Sequence, residues 1–213
     1  MFKKNALRII TVMCLVLLVI ACVAGCDKGG KISKYNLPQQ YRNVIYYFEQ
    51  GFPEGWSLTG NPDGKYSDES KALVITITKD DDASSARYCV YKQKEHADIP
   101  LTSSLKDMYA LTVNPDHALY FNTRNGTREN FAITNSEAID FILNGRQYYS
   151  STYTFTEGGD NWQGQYFLLP DSRQYYLISY EAKVDSWAAF EPTFKEMMND
   201  FRPTGFESDN TIS

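Results

Sequence analysis

The stretch ALVITITK at residues 72–79, followed by ARYCVYK at residues 86–92, decides how this sequence can fold. Both segments are rich in β-branched and aromatic residues, which favour extended strands. The residues between them, DDDASS at 80–85, are polar and suit the loop of a hairpin. The hydrophobic period of this region is therefore two, and the two segments are predicted to pair as neighbouring strands.

Further strands are predicted towards the C-terminus, where the same period continues. Asn125-Gly126 and Asn144-Gly145 each lie between two such segments. Asn-Gly is the strongest short hairpin signal, because both central residues of a type I′ turn need positive φ. The segments on either side of Pro170 are predicted to complete a meander. The predicted strands of this part of the chain are 118–124, 129–134, 138–143, 147–155, 162–169 and 174–182.

Two segments depart from this period and are predicted to be helical. Ser104-Leu-Lys-Asp107 has the form of a capping box, which predicts a short helix directly after it. Near the end of the chain, apolar residues recur at helical spacing and form a stripe along one side of a longer helix. Pro192 is expected at the start of this helix, with Glu191 near its cap. The stripe consists of Trp187, Phe190, Phe194, Met197, Met198 and Phe201.

Two short motifs resemble a known family. The sequence FPEGW at residues 52–56 is similar to the opening of PsbP-like domains, and FKEMMNDF at residues 194–201 is similar to their closing aromatic helix. The order of elements between residues 44 and 202 also resembles that fold. The predicted fold class is α+β, a PsbP-like antiparallel β-sheet with flanking helices, after an N-terminal lipoprotein signal peptide. Members of this family include a photosystem II extrinsic subunit, a nuclear import factor and many bacterial lipoproteins. The resemblance therefore implies a non-enzymatic scaffold or binding domain rather than one particular partner.

The N-terminus has the pattern of an export signal. Lys3, Lys4 and Arg8 precede an apolar run that ends near Ala24, which falls short of the roughly 20 apolar residues that a spanning helix needs. The tetrad Val-Ala-Gly-Cys at residues 23–26 resembles the lipobox of bacterial lipoproteins. This resemblance implies that Cys26 carries a diacylglyceryl group on its sulfur and becomes the first mature residue. The alternative is an ordinary secretory signal that happens to end near a cysteine.

These features predict four regions and a location. Residues 1–25 are the signal peptide, 26–42 a lipid-anchored flexible tether, 43–202 the PsbP-like domain and 203–213 a disordered tail. The expected location is the cell membrane, where lipid on Cys26 holds the protein at the extracytoplasmic face. The full chain has a net charge of −5, and loss of the basic signal makes the mature chain more acidic. An acidic chain of this kind is not expected to bind nucleic acid.

The sequence contains few residues with the chemistry of an active site. His96 and His117 lie in polar segments and are expected in surface loops rather than in metal or acid–base roles. Cys89 is predicted to be a half-buried thiol in a strand, with a nucleophilic Cys89/His96 pair as the alternative. The acidic run at residues 80–82 is expected to be a solvated loop, with a site for a hard cation as the alternative. We therefore predict no catalytic residue, no cofactor and no bound metal.

Tyrosine is the most distinctive component of the composition, with 16 residues. A row of tyrosines can form a face that binds a sugar or a protein. Adjacent residues of a strand point to opposite sides of the sheet, so at most one of each neighbouring pair can share such a face. The neighbouring pairs are Tyr46-Tyr47, Tyr148-Tyr149 and Tyr175-Tyr176.

The predicted function follows from the anchor and the fold. We expect a non-enzymatic binding or assembly module of the cell envelope, with a protein or glycan partner in addition to the membrane. The alternative is a cell-envelope hydrolase with an unrecognised active site. A cleft that holds Cys89, His96 or two facing carboxylates would favour the hydrolase, whereas an open face of tyrosines would favour the binding module.

Overall fold

The computed structural model describes residues 37–67, 72–80, 84–92, 104–124, 128–135, 141–143, 146–171 and 174–204. The predicted signal peptide, Cys26, His96 and both Asn-Gly turns lie outside these residues. The small sheet consists of β1 (Gln39–Asn43), β2 (Phe48–Phe52) and β11 (Arg202–Pro203). The large sheet consists of β3 (Trp56–Gly60), β4 (Leu73–Lys79), β5 (Ser84–Lys92), β6 (Glu129–Asn135), β7 (Phe141–Leu143), β8 (Arg146–Glu157), β9 (Asp160–Asp171) and β10 (Gln174–Lys183). The helices are α1 (Leu105–Val113), α2 (Phe121–Arg124) and α3 (Val184–Asp200).

The strands of the large sheet are antiparallel and follow the order β3-β4-β5-β10-β9-β8-β6, with β7 paired to β8. The predicted hairpins β4–β5, β7–β8 and β9–β10 are all present. Strand β10 lies at the centre, and every residue of it except Lys183 is buried. Most of this strand is therefore packed on both faces of the sheet.

The two faces of the sheet contribute to two hydrophobic cores, because side chains of a strand alternate between its faces. Even-numbered residues of β10, such as Ile178 and Tyr180, lie in the first core with β1, β2 and α3. Odd-numbered residues, such as Leu177, lie in the second core with α1 and the segment through Phe121. We call these the α3 face and the α1 face. The sheet with helices on both faces confirms the predicted α+β class.

The FPEGW motif forms the turn that leads into β3. Gly55 has φ of +75°, a conformation that glycine adopts without steric cost. Trp56, which follows it, is buried, and its ring contacts Phe190 and Phe194 of α3 edge-on, with centroids 6.0 and 6.1 Å apart. The motif thus joins the start of the large sheet to the closing helix.

Helix α3 begins earlier than predicted. It runs from Val184, with Pro192 inside it and no side-chain cap on Lys183. Pro192 is exposed, so water can reach the helix carbonyl that loses its hydrogen bond to the proline nitrogen. Packing of Trp187 against Phe194, with centroids 5.6 Å apart, also holds the first turns on the α3 face. The prediction that the helix starts at Pro192 was therefore wrong.

The segment 118–124 is not the predicted strand. Its second half is the short helix α2, and Leu119 and Phe121 are both buried in the second core. The Asn122 side chain bonds to the backbone of Arg128, accepting from its N–H at 3.0 Å and donating to its carbonyl at 3.4 Å. One side chain thus supplies the contacts that a paired strand would have supplied, and β6 pairs with β8 instead.

Two predicted domain boundaries also shift. Residues 39–42 lie in β1, which pairs with β2, so they belong to the folded domain rather than to the tether. Pro203 lies in β11, and the Thr204 N–H donates to the Tyr47 carbonyl at 2.8 Å. Both changes arise because the small sheet gathers residues from the two ends of the domain.

Candidate functional site

A polar region lies on the α1 face, at the end of the sheet where β10 finishes. Strand register brings Ser85 of β5, Glu181 of β10, Gly164 of β9 and Tyr153 of β8 into one cross-strand row. Thr78 of β4 extends the row at its other end. Glu181 continues the odd-numbered series of β10 that fills the second core, so it projects from the same face as Leu177.

A buried ion pair lies at the centre of this row. The Arg128 Nη2 atom is 2.8 Å from Oε1 and 2.9 Å from Oε2 of Glu181. The two side chains are only 6% and 5% exposed. Buried charges of this kind need each other, because either one alone would carry a large desolvation cost.

Tyr153 completes the surroundings of the carboxylate. Its hydroxyl donates to Glu181 Oε1 at 2.5 Å. Burial raises the pKa of Tyr153 well above its ordinary value, and the negative charge of Glu181 raises it further. Because the phenol stays protonated, it remains a hydrogen-bond donor to Glu181.

Aromatic rings hold the guanidinium from the other side. The Arg128 Cζ atom lies 4.3 Å from the ring centroid of Phe155, a cation–π contact. The indole of Trp162 stacks on the same Phe155 ring, with centroids 5.9 Å apart and planes inclined by 12°. Arg128, Phe155 and Trp162 therefore form one packed group beside the ion pair.

These residues line an open cavity of about 380 Å³, which we call the Arg128 cleft. Its walls are Thr76, Thr78, Ser84, Ser85, Arg87, Arg128, Glu157, Trp162 and Glu181. Two buried nitrogens of these residues make no hydrogen bond within the described part of the chain: Arg128 Nη1 and Trp162 Nε1. Ser84 Oγ is also unsatisfied, but Ser84 lies opposite Ala182 in the register, so its side chain belongs to the α3 face. Natural structures leave few buried polar atoms unsatisfied, and two beside one cavity suggest a ligand or ordered water.

The charges of the Arg128 cleft are distributed unevenly. Arg128 is buried and its charge is paired with Glu181, whereas Arg87 is half-buried and also has an interaction partner. Glu157 is exposed. The buried charges of the Arg128 cleft are therefore engaged within the protein.

A second cavity of about 140 Å³ lies between α3 and the sheet. Tyr148, Phe167, Tyr180, Trp187, Phe194 and Met198 form most of its wall. Burial raises the pKa of both Tyr148 and Tyr180, which keeps their hydroxyls neutral. This groove is smaller and more aromatic than the Arg128 cleft, and among its described lining residues one buried polar atom, the Tyr180 hydroxyl oxygen, makes no hydrogen bond.

The residues predicted to carry chemistry lie apart from the cleft or outside the described residues. His117 is half-buried in a turn, where its Nδ1 accepts from the Leu119 N–H at 3.1 Å. Cys89 is 2% exposed in the second core and in no disulfide with another described residue. Asp80 accepts from the Ser57 hydroxyl at 2.7 Å, while Asp81, Asp82 and His96 lie outside the described residues. No three metal-binding side chains cluster in the part of the chain that the structure describes.

Tyrosines pack the interior instead of forming an open binding face. Tyr46, Tyr148 and both members of the pair Tyr175-Tyr176 are buried, whereas Tyr47 is 42% exposed. The most deeply buried large side chains also include Tyr88, Tyr91, Tyr153, Tyr166 and Tyr180. The tyrosines that the structure describes therefore do not form the open face considered in the sequence analysis.

The sequence analysis did not identify Arg128, Trp162 or Glu181. Arg128 lies only two residues after Asn125-Gly126, in a segment predicted to form a hairpin. The one available signal was Glu181, an acidic residue inside an apolar strand sequence, QYYLISYEAK at 174–183. A buried acid of this kind requires a partner, but the sequence does not say which one.

Comparisons with known proteins support the fold. No protein-family model and no curated protein sequence matches this chain. The chain is similar to the solution structure of the cyanobacterial PsbP protein CyanoP from Synechocystis sp. PCC 6803, with 15% identity and a TM-score of 0.57. The match covers 84% of this chain and 99% of that chain. It confirms the predicted PsbP-like α+β fold.

Weaker similarities connect the chain to two other solved structures. One is LpqN, involved in cell envelope biogenesis of Mycobacterium tuberculosis, with 11% identity, 78% and 91% of the two chains covered and a TM-score of 0.48. The other is a protein of unknown function from Pseudomonas aeruginosa, with 11% identity, 79% and 98% of the two chains covered and a TM-score of 0.45.

None of the helices that the structure describes is long and apolar enough to cross a membrane.

Proposed function

We propose that this protein is a lipid-anchored, non-enzymatic binding module of the cell envelope, and that its PsbP-like domain binds its partner through the Arg128 cleft. The supporting observation is the group of unsatisfied buried atoms at the cleft wall, above all Nη1 of Arg128. A buried donor without an acceptor costs about 1–3 kcal/mol. A ligand in the cleft that gives Nη1 an acceptor removes this cost. Because Nη1 has almost no accessible surface, such binding also requires the atoms that cover it to move aside.

The ion pair between Arg128 and Glu181 supports binding rather than hydrolysis. Oε2 of Glu181 accepts from Arg128, and Oε1 accepts from Tyr153. A general acid or base must reach the substrate, whereas the Glu181 side chain is only 5% exposed and both of its oxygens are engaged by protein groups. Glu181 is therefore arranged to hold Arg128 in place.

The location is proposed from the sequence. The tetrad at residues 23–26 resembles a lipobox, and lipid on Cys26 would hold the mature chain at the extracytoplasmic face of the membrane. The folded part begins close behind Cys26, since β1 starts at Gln39. Residues 27–34, DKGGKISK, are mostly polar and contain two glycines, as expected for a short tether.

The anchor is tested by replacing Cys26 with serine and growing cells with a labelled fatty acid. We expect the Cys26→Ser protein to lose the label and to remain as the uncut precursor, because serine lacks the sulfur that takes the diacylglyceryl group. Cys22→Ser is the matched control, since Cys22 lies in the same apolar run and should leave labelling unchanged. Labelled Cys26→Ser protein would overturn the lipid-anchored location.

The binding role is tested by crosslinking the intact lipidated protein in cells and identifying the captured partner. Trp162→Phe combined with Thr78→Val removes the unsatisfied indole N–H and one hydroxyl from the cleft wall, while a phenyl ring keeps the stack on Phe155. We expect this double variant to lose the partner that the native protein captures, and the surface variant Arg42→Lys to retain it. Equal capture by the double variant would exclude the cleft as the binding surface.

One observation favours a hydrolase as the second candidate. Glu157 lines the Arg128 cleft and is exposed, and carboxylates are the usual catalytic groups of glycoside hydrolysis. Release of reducing ends from purified cell-wall polysaccharide, abolished by Glu157→Gln, would support this candidate over the binding module.

A further inference from the structure

Three hydroxyl groups of the Arg128 cleft are accessible and unpaired. They belong to Thr76, Thr78 and Ser85, which line the cleft and are half-buried. Their side chains make no hydrogen bond to another described residue, and their oxygens are not among the buried unsatisfied atoms. Each hydroxyl therefore has accessible surface, and each can both donate and accept a hydrogen bond.

Strand register sets the spacing of these hydroxyls. Thr78 lies opposite Ser85 on the neighbouring strand, and Thr76 is two residues from Thr78 on the same face of β4. Opposite residues have Cβ atoms about 5 Å apart, and alternate residues of one strand are about 7 Å apart. The array therefore suits a ligand that carries hydrogen-bonding groups at several points of a rigid frame.

The charges of the cleft disfavour an anionic ligand. Arg128 and Glu181 neutralise each other, and Arg87 has an interaction partner of its own. Glu157 lines the cleft and is exposed, and a carboxylate accepts hydrogen bonds but cannot donate them. The complementary ligand is therefore uncharged and carries hydrogen-bond donors as well as acceptors.

Trp162 adds a carbon surface to these polar walls. The residue is half-buried and lines the cleft, and because its Nε1 is buried, the indole can offer the cleft only ring carbons. Stacking on Phe155 holds the indole in place. The face of an aromatic ring carries a partial negative charge, which attracts weakly positive C–H groups. A pyranose ring combines such C–H groups on its faces with hydroxyls around its edge.

We infer that the Arg128 cleft binds a neutral pyranose, the ring unit of a glycan, through the hydroxyls of Thr76, Thr78 and Ser85 and the indole of Trp162. This inference rests on the proposed function, because it names the ligand class of the same site. The volume of about 380 Å³ lies within the range of about 300–1,000 Å³ that is usual for small-molecule sites. None of these contacts requires the buried nitrogens Arg128 Nη1 and Trp162 Nε1.

The indole N–H resonances provide a direct test, since the chain contains three tryptophans. The tryptophans of the full-length lipidated protein are labelled with nitrogen-15, in micelles of a detergent without a sugar head group. The probes are glucose, galactose, mannose and N-acetylglucosamine, which have no glycosidic bond to cleave and so report binding alone. The controls are glycerol, which has hydroxyls but no ring, and sodium glucuronate, which has the ring and a negative charge. The resonance lost in Trp162→Phe is the reporter.

We expect at least one of the four sugars to shift the Trp162 resonance in a saturable manner and to leave those of Trp56 and Trp187 in place. Thr78→Val replaces the hydroxyl with a methyl group and keeps a residue type that suits a strand. It should raise Kd about fivefold, which is the contribution of one hydrogen bond of ordinary strength. Unchanged Trp56 and Trp187 resonances in this variant would show that the fold is intact.

Thr154→Val is the matched control. Thr154 is also half-buried in a strand, but its neighbours Tyr153 and Phe155 lie in the second core, so Thr154 projects from the α3 face. Its loss of a hydroxyl should leave Kd unchanged.

Four outcomes would overturn the inference. Absence of a saturable Trp162 shift with all four sugars would exclude a pyranose site. An equal shift with glycerol would indicate an adventitious additive only, and an equal or tighter response to glucuronate would show that the cleft does not select an uncharged ligand. Equal affinity in Thr78→Val and Thr154→Val would place the sugar away from the hydroxyl array.

The inference and the proposed function can fail separately. If no sugar binds but crosslinking still depends on Trp162 and Thr78, the inference is wrong and the binding module stands with a partner of another class. If a sugar binds while the double variant of Trp162 and Thr78 captures the same partner as the native protein, the inference stands and the partner binds outside the cleft.

Discussion

The phenol of Tyr153 lies directly over the α-carbon of Gly164, its partner on the neighbouring strand. A β-carbon added at Gly164 would stand 2.5 Å from the Tyr153 hydroxyl oxygen and 2.6 Å from Cε2. Glycine is therefore required here by close approach, and its absent side chain lets Tyr153 reach across β9 to Glu181 on β10.

Gly164→Ala tests this relationship. Tyr153 cannot move aside easily, because its ring is packed against Phe121 and Phe131 with centroids 4.8 and 5.4 Å away. We expect the substitution to lower the free energy of unfolding by about 1–3 kcal/mol, as overpacking of a core does. Urea denaturation measures this change. In the Tyr153→Leu variant the added methyl group has more room, so Gly164→Ala should cost less there than in the native protein. If the losses of unfolding free energy from the two substitutions simply add, the explanation is wrong.

Glu181→Gln tests the buried ion pair. Removing one charge leaves the Arg128 guanidinium buried without compensation, which typically costs about 3–5 kcal/mol. Glu49→Gln is the matched control, because Glu49 pairs with an Arg42 side chain that is 68% exposed. Surface pairs contribute at most about 1 kcal/mol. Chemical denaturation measures the free energy of unfolding of both variants. If both lose a similar small amount, water reaches the Arg128–Glu181 pair.

Phe194→Ala tests the packing of α3. The Phe194 side chain is 4% exposed, and its ring lies 5.1 Å from that of Tyr180 and 5.6 Å from that of Trp187. Losing this ring should cost about 3–5 kcal/mol, because it leaves a cavity beneath the helix. Lys195→Ala removes only an exposed pair with Glu191, whose side chains are 70% and 42% exposed. It should change stability by no more than about 0.5 kcal/mol.

Alkaline pH should destabilise the protein through its buried tyrosines. Burial raises the pKa of Tyr88, Tyr153, Tyr166 and Tyr180 above the ordinary value, so these phenols stay protonated in the folded state. In the unfolded chain they ionise near about pH 10. The unfolded state then binds fewer protons than the folded state, so stability is intact below about pH 10 and falls as pH rises further.

Urea denaturation at a series of pH values, with phenolate absorbance followed in parallel, measures this slope. Tyr180→Phe should make the slope shallower by up to about 1.4 kcal/mol per pH unit, which corresponds to one proton. If all tyrosines ionise while the protein is still folded, the pKa values of the buried tyrosines are not raised and the prediction is wrong.

Much of the fold was predictable because its signals are local. The β4–β5 and β9–β10 hairpins join segments close in sequence, and the capping box at Ser104 is present, with Asp107 N–H donating to Ser104 Oγ at 3.1 Å. The aromatic stripe at helical spacing likewise predicted the closing helix. The start of this helix was predicted wrongly because proline was expected only at a helix start. Pro192 costs the helix one backbone hydrogen bond on its exposed side, and the packing of Trp187 and Phe190 outweighs that cost.

The amino-acid sequence alone determined the α+β class, most hairpins and the resemblance to a lipobox, because each depends on residue type and spacing over a few positions. Only the tertiary structure decided where the candidate site lies. Arg128 and Glu181 are 53 residues apart in sequence, and their meeting depends on the order of strands in the sheet. The hydrogen bond from Tyr153 to Glu181 depends in addition on the absent side chain of Gly164. Long-range pairing of this kind leaves no periodic signal in a single chain, because it is selected by burial of charge and close packing rather than by local backbone preference.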